Sequence, residues 1–212
     1  LPESLNNYLA LLGWNPGTEE EIFSMDQLVQ KFDLVQVQKK GAVWDEKKLH
    51  WVSGQHMMKT NTDFILDSIR RIAPDWGKGS DISNLVAIIE MLKQRAKSLM
   101  EFIDQSHYFF QAPDDYDTSG LKRGWPDTNV NNRVEEIQSV LMDISVWRKE
   151  EIETALKAHA ESHELSMGKI IMPTRLAVSG GLNGPSIFEI LSLLGKENTL
   201  NRIQTALKEL PQ

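Results

Sequence analysis

The fold is decided by one stretch near the C-terminus, which reads Met172-Pro173-Thr174-Arg175-Leu176-Ala177-Val178-Ser179-Gly180-Gly181-Leu182-Asn183-Gly184-Pro185-Ser186-Ile187-Phe188-Glu189-Ile190-Leu191. Its pattern predicts a helix, a glycine-rich break and a second helix that begins at Pro185 and ends at Gly195. Proline fits the first turn of a helix, where its missing N–H costs nothing, and glycine suits the position just past the end. The corner offers unpaired N–H groups beside the bare backbone of Gly180, Gly181 and Gly184. It can pack tightly against another helix, which is the commoner outcome, or contact a ligand that carries acceptors.

The composition is ordinary for a globular protein. The chain has 212 residues, of which 41% are hydrophobic and 25% charged, and it has no cysteine. This length can form one large or two small domains with real cores. No apolar run is long enough to span a bilayer, and the first residues do not form a secretory signal. We therefore expect a cytoplasmic protein without a membrane partner, disulfides or thiolate metal sites.

The charge balance limits the possible nucleic-acid partners. The formal net charge is −7, which argues against a broad electrostatic contact with nucleic acid, and we expect no DNA partner. A single-stranded RNA loop remains compatible, because such loops are read largely by stacking and by hydrogen bonds to base edges.

Helical periodicity dominates the chain, and alternating strand patterns are nearly absent. The patterns predict an all-α fold of two or three helical subdomains. A polar span over 112–131 is the best candidate for a boundary between two helical units. Helices are expected at 4–12, 24–34, in a short segment ending near Gly54, and at 60–72, 81–102, 132–145, 147–160, 166–178, 185–194 and 199–210.

Arg95 stands out in the longest predicted helix, 81–102. It follows Leu92 by three residues and precedes Leu99 by four, so helical geometry puts it on the apolar stripe. Two interpretations stay open. The guanidinium either leaves the stripe at its edge or pairs with a carboxylate, or it points into a pocket where its planar donors read a base edge.

Three patterns that could indicate chemistry have simpler explanations. His159 and His163 are four residues apart, a spacing that can bind zinc, but a solvated helix face is the better interpretation. The acidic residues of 114–117 lack the spacing of a calcium loop and indicate a turn. Ser179 precedes two glycines but follows a helix rather than a strand, so it is no nucleophile elbow. No catalytic residue is predicted.

Several runs in this chain resemble the C-terminal half of bacterial glutamyl-tRNA synthetases, in order and at family-like spacing. They are the stretch quoted above, 1–14, Val43-Trp44-Asp45, 49–54 and the region around Trp147. The resemblance implies the all-α, multi-helix anticodon-binding fold of that class I family. Residues 1–60 would form the C-terminal part of a stem-contact region. Two anticodon-binding subdomains would follow, at 61–118 and 119–212.

The resemblance also implies a function. Members of the family join glutamate to tRNA(Glu) through a glutamyl-adenylate made from ATP. Their two ATP-binding signatures belong to a catalytic domain that this sequence lacks, and ATP and Mg would bind there. We therefore expect the tRNA-recognition half of a ligase, without a cofactor of its own. A helical protein-interaction scaffold, which an acidic surface would suit, and a free-standing enzyme remain as alternatives.

The family's RNA contacts can be carried over to matching residues. Arg95 falls where an arginine reads the first anticodon base in members specific for glutamate tRNA, and this implies a discriminating enzyme. Arg175 matches an anticodon-contacting arginine. Lys157 stands where the family can carry an arginine, and lysine keeps the charge but loses the bidentate fork. The turn that packs against the anticodon bases corresponds to Asn183, Gly184, Pro185, Ser186, Ile187 and Phe188. Phe188 is either a stacking platform or a core residue.

Overall fold

The computed structural model describes residues 1–39, 41–126 and 129–210, and within these ranges all regular structure is helical. This confirms the predicted all-α class. Among the described residues no helix is both long and apolar enough to cross a membrane. A short 3-10 helix covers Leu34–Gln36. The α-helices are α1 (Pro2–Leu11), α2 (Met25–Lys31), α3 (Glu46–Lys59), α4 (Thr62–Ile72), α5 (Ile82–Leu92), α6 (Leu99–Phe110), α7 (Thr118–Gly124), α8 (Asn129–Asp143), α9 (Lys149–Ser162), α10 (Met167–Ser179), α11 (Ile187–Leu194) and α12 (Lys196–Glu209).

Contacts divide the chain into two compact units, Leu1–Asp104 and Gln105–Gln212. The finer, three-part division at 1–60, 61–118 and 119–212 stays a prediction. The polar span 112–131, of which 127 and 128 lie outside the described residues, contains the helix α7. Asp117 begins this helix by accepting hydrogen bonds from the N–H groups of Ser119 and Gly120.

In the first unit, α1 packs on α2 and α3, and α4 packs on α5. The fully buried side-chain amide of Asn7 joins α1 to the segment before α2 and to α3. Asn7 accepts a hydrogen bond from the N–H of Phe23 (2.9 Å), donates to the carbonyl of Glu21 (3.0 Å) and meets the ring of His56 (2.9 Å). Ser24 and Gln27 form a capping box at the start of α2. Helix α3 runs past Gly54 to Lys59, so the predicted end of that helix was wrong.

The predicted helix over 81–102 is in fact two helices, because α5 ends at Leu92 and α6 begins at Leu99. The new start is capped: Ser98 Oγ accepts from the N–H of Glu101 (3.2 Å), and the Glu101 carboxylate accepts from the N–H of Lys97 (3.0 Å). A serine followed three residues later by glutamate is a capping pattern that the sequence already carried. The apolar period had concealed this break.

In the second unit, α10 is the central helix, since it packs against α7, α8, α9, α11 and α12. Its apolar side chains are fully buried at Ile170, Leu176, Ala177 and Val178. Burial of this kind stabilises by about 1.5–3 kcal/mol for each large aliphatic side chain. The helix that leads into the glycine-rich break is therefore held from several directions.

His159 is buried on α9, so the predicted solvated face was wrong for this residue. Its Nε2 lies 3.6 Å from a carboxylate oxygen of Glu136, and its ring lies 4.3 Å from that of His163. Burial, with a smaller effect of His163, lowers the pKa of His159, and Glu136 opposes this. No group of three or more potential metal ligands occurs among the described residues.

This lowered pKa predicts a pH-dependent stability. The unfolded chain takes up a proton on His159 near the ordinary pKa of about 6.5, whereas the folded chain does so only at lower pH. The contribution of His159 is therefore fully present above that value and is lost as the pH falls towards the folded pKa. Between about pH 7.5 and about pH 5.5, the free energy of unfolding should fall less in His159→Gln than in the unmodified protein. Urea titrations measure this difference, and His50→Gln, which changes an exposed ring, is the control. An equal fall in the unmodified protein and in His159→Gln would contradict the prediction.

Candidate nucleic-acid interface

The glycine-rich break, 180–186, begins with a left-handed residue. Gly180 ends α10 with φ +75°, and its N–H donates to the carbonyl of Leu176 (2.9 Å). Its own carbonyl accepts from the N–H of Asp117 (2.8 Å). A Cβ on Gly180 would lie only 2.8 Å from the carbonyl oxygen of Asp115. Both the backbone angle and the close approach therefore require glycine at this position.

Arg175 lies beneath the break rather than at its surface. Its side chain is buried, at 7% exposure, and its Nη2 donates to the carbonyl of Pro185 at 2.6 Å. Gly184 crosses above it with φ +153°, and a Cβ there would lie 2.9 Å from Arg175 Nη1. The guanidinium thus fixes the path of the chain from the break into α11. In this arrangement Arg175 is a positioning residue for the corner.

Arg202, which was not among the predicted site residues, is a second buried arginine below the same region. Its Nη1 donates to the carbonyls of Tyr108 (2.5 Å) and Val178 (2.7 Å), so α12 holds the last turns of α6 and α10. Burial lowers its pKa from the ordinary value, but an arginine still keeps its charge. The helical period of α12 could have revealed it, because Arg202 is three residues after Thr199 and four before Ala206, and both of these are buried.

The predicted corner residues separate into an accessible edge and a buried base. Asn183 is exposed, and Gly184 and Ser186 are half-buried. Pro185, Ile187 and Phe188 are buried. Phe188 is therefore a core side chain in this structure, as one of the two interpretations of the sequence held. Helix α11 begins after Ser186 rather than at Pro185, and it ends at Gly195 as predicted.

Lys157 lies on the exposed side of α9, and its Nζ pairs with Glu153 at 2.6 Å. Helix α9 packs against α11, and Lys149 joins the two through Glu189 (2.6 Å). The hydrogen bond that Lys149 donates to Glu189 is the largest cause of its raised pKa, and the charges of Glu189, Glu150 and Glu153 add to it. Because Glu153 pairs with Lys157, an RNA phosphate would have to compete with that carboxylate for Lys157.

Arg95 is not on an apolar stripe, so that prediction was wrong. It lies in the turn after α5, its N–H donates to the carbonyl of Leu92 (2.8 Å), and its side chain is exposed. Ala96 occupies the buried position of the turn. The guanidinium makes no ion pair or hydrogen bond within the part of the chain that the structure describes. Its planar donors are therefore available to a ligand.

The structure brings Arg175, Gly184 and Pro185 together in one corner, and it puts Lys157 on a helix that packs on α11. Arg95 belongs to the first unit. In the predicted stem-contact segment, Trp44 is 56% exposed and Trp51 44% exposed. These indole rings are accessible to a partner.

Comparison with known proteins identifies the family. Residues 56–207 match the family model described as anticodon binding domain. Residues 1–51 match the family model described as tRNA synthetases class I (E and Q), catalytic domain. A glutamate–tRNA ligase of Flavobacterium johnsoniae is 38% identical over 209 residues, which are 99% of this chain and 41% of that protein. One from Moorella thermoacetica is 34% identical over 97% of this chain and 43% of its own length.

Solved structures agree with these relatives. The crystal structure of a glutamate tRNA ligase from Elizabethkingia meningosepticum, in complex with its amino acid, superposes with a TM-score of 0.89 at 30% identity. The superposition covers all of this chain and 42% of the ligase chain in that crystal structure. The chain thus spans about two fifths of the length of the relatives it matches. Because the family model described as anticodon binding domain covers well over half of the residues, the chain belongs to the anticodon binding domain family.

Proposed function

We propose that this chain is the tRNA-recognition part of a glutamate–tRNA ligase, which attaches glutamate to tRNA(Glu) with the use of ATP. The chain would bind the anticodon arm so that the acceptor end of the tRNA reaches a distant active site. ATP, Mg²⁺ and glutamate would bind in the catalytic part of the ligase, and we assign none of them to residues of this chain. We propose a cytoplasmic location, where the tRNA is found.

The observation that carries this proposal is the corner between α10 and α11. Arg175 holds the carbonyl of Pro185 inward, so Asn183, Gly184 and Ser186 remain at the surface as a polar edge. Fixed amide and hydroxyl groups can read the edges of unpaired bases through hydrogen bonds. The buried Ile187 and Phe188 would support this edge from below rather than stack on bases.

Arg95 is proposed to read the first anticodon base. An exposed arginine without a protein partner can direct two parallel donors at the acceptors of one base. Arginine here would make the ligase selective for glutamate tRNA over glutamine tRNA. Lys157 would contact the RNA as a point charge.

The proposal is tested by titrating the chain with fluorescent anticodon stem-loops. The anticodon stem-loop of tRNA(Glu), called here the glutamate stem-loop, should bind. A version with a changed anticodon should lose about 1–3 kcal/mol of binding free energy for each base that is no longer recognised. Fluorescence anisotropy at fixed salt measures both affinities. Equal binding of the two stem-loops, or no binding, would favour the alternative of a protein-interaction scaffold.

Arg95→Gln should relax discrimination at the first anticodon base. Loss of the two hydrogen bonds to one base should weaken the binding free energy for the glutamate stem-loop by about 1–3 kcal/mol. The binding free energy for stem-loops altered at that base should change little. Anisotropy with both stem-loops, and aminoacylation by the ligase that contains this chain, measure the change. Arg71→Gln removes an exposed charge from the same unit and is the control. If the two variants weaken every stem-loop alike, Arg95 supplies charge and no base reading.

Gly184→Ala should damage the corner. The added Cβ would meet Arg175 Nη1 at 2.9 Å on a backbone with positive φ, a strain of about 1–3 kcal/mol. We expect a lower free energy of unfolding and weaker binding of the glutamate stem-loop. Gly181→Ala is the matched control, because no atom lies within 4 Å of its Cβ and its φ is not positive. The prediction fails if both variants unfold at the same denaturant concentration.

A further inference from the structure

We propose that a cavity between α7, α8 and α10 binds a backbone phosphate of the RNA, an inference that rests on the proposed function. The cavity has a volume of about 350 Å³, and all three helices belong to the second unit. It does not include the corner residues Asn183 to Phe188. It would therefore add a separate contact to those already proposed.

Three cationic side chains from three helices line the cavity. Arg123 lies in the last turn of α7, Arg133 in the second turn of α8, and Lys169 in the first turn of α10. Among the residues that the structure describes, no acidic side chain lines the cavity, and these three cations form no ion pair or side-chain hydrogen bond. In a chain with a net charge of −7, such a group of unneutralised cations is a local exception. It would attract an anion from solution.

The backbone around the cavity adds partial positive charge to that of the three cationic side chains. Two helices present their first turns to it, α8 through Asn129 and Val130, and α10 through Ser166 and Gly168. The side chain of Ser166, the N-cap of α10, makes no capping hydrogen bond. The first N–H groups of a helix lack intrahelical partners, and they carry a partial positive charge. Because Gly168 has no side chain, a ligand can approach the backbone of this turn closely.

The size and chemistry of the site select the ligand. A tetrahedral phosphate offers oxygen acceptors to several donors at once, and arginine forks suit such oxygens. A purely apolar ligand would leave three cations desolvated without partners. The cavity therefore fits an oxyanion, either a phosphodiester of bound RNA or free phosphate.

The position of the cavity favours the phosphodiester. Gly124 lines the cavity, and a Cβ on it would lie 3.1 Å from Leu182, a residue of the glycine-rich break. The same wall includes Met172, one turn before the buried Arg175. An RNA loop on the exposed Asn183 edge would therefore carry its backbone past this wall.

The experiment combines two substitutions with two ligands. The double variant Arg133→Gln, Lys169→Gln should bind the glutamate anticodon stem-loop about tenfold more weakly in anisotropy. Its binding should also depend less on salt. The slope of log binding constant against log salt concentration should be shallower by about 0.7 for each phosphate that is no longer neutralised. Lys208→Gln removes an exposed charge from α12, outside the cavity, and should leave both quantities nearly unchanged. The variant Arg133→Lys, Lys169→Gln should restore part of the affinity. Equal thermal midpoints would exclude a loss of folding.

Inorganic phosphate tests the site without RNA. At matched ionic strength in chloride, phosphate should shift the NMR amide signals of Gly124 and Gly168 but not that of Gly181, and the double variant should lose these shifts. If the stem-loop binds the double variant as tightly as the unmodified chain, the phosphodiester proposal is overturned while the proposed function stands. If no stem-loop binds but phosphate shifts these amides, the proposed function fails and the site takes free phosphate, which also overturns the RNA assignment.

Discussion

The hydrogen bond from Arg175 to the carbonyl of Pro185 is the constraint on which the corner depends. A guanidinium that is only 7% exposed must put its donors on acceptors, because burial of unpaired polar groups is costly. The carbonyl therefore has to face inward, and the chain before it has to pass directly over the guanidinium. Only a residue without Cβ fits there, which makes Gly184 a consequence of Arg175. The exposed edge at Asn183 follows from both.

Arg202 extends the same principle across the second unit. It donates to the carbonyls of Tyr108 and Val178, so the last turns of α6 and α10 meet on one cation. Carbonyl partners satisfy the guanidinium hydrogen bonds without cancelling its charge. Positive charge is thereby retained beneath a corner that is proposed to meet RNA, although the whole chain is acidic. A fixed charge of this kind acts locally, since bulk salt screens the more distant acidic groups.

Local signals in the sequence predicted much of this fold, and distant contacts account for what they missed. Gly180 and Gly195 end helices because of their own backbone freedom, so they were readable in place. The break between α5 and α6 was missed because the apolar period continues through it, although Ser98 and Glu101 carried a capping pattern. The burial of Arg175 beneath the break depends on contacts with Pro185, ten residues away, and Arg202 binds a carbonyl 94 residues away. No local pattern contains such pairs.

The division of the corner into a polar edge and a buried base has a consequence for selectivity. Stacking on an aromatic ring tolerates every base, whereas hydrogen bonds to base edges distinguish them. Because Phe188 is buried and Asn183 exposed, recognition at this corner would depend mainly on the second mechanism. An acidic surface works in the same direction, since it weakens the nonspecific attraction that phosphates feel for a basic protein. A few fixed cations and bare backbone groups would then provide binding only where the RNA presents the matching loop, so selectivity would rise while general affinity would fall.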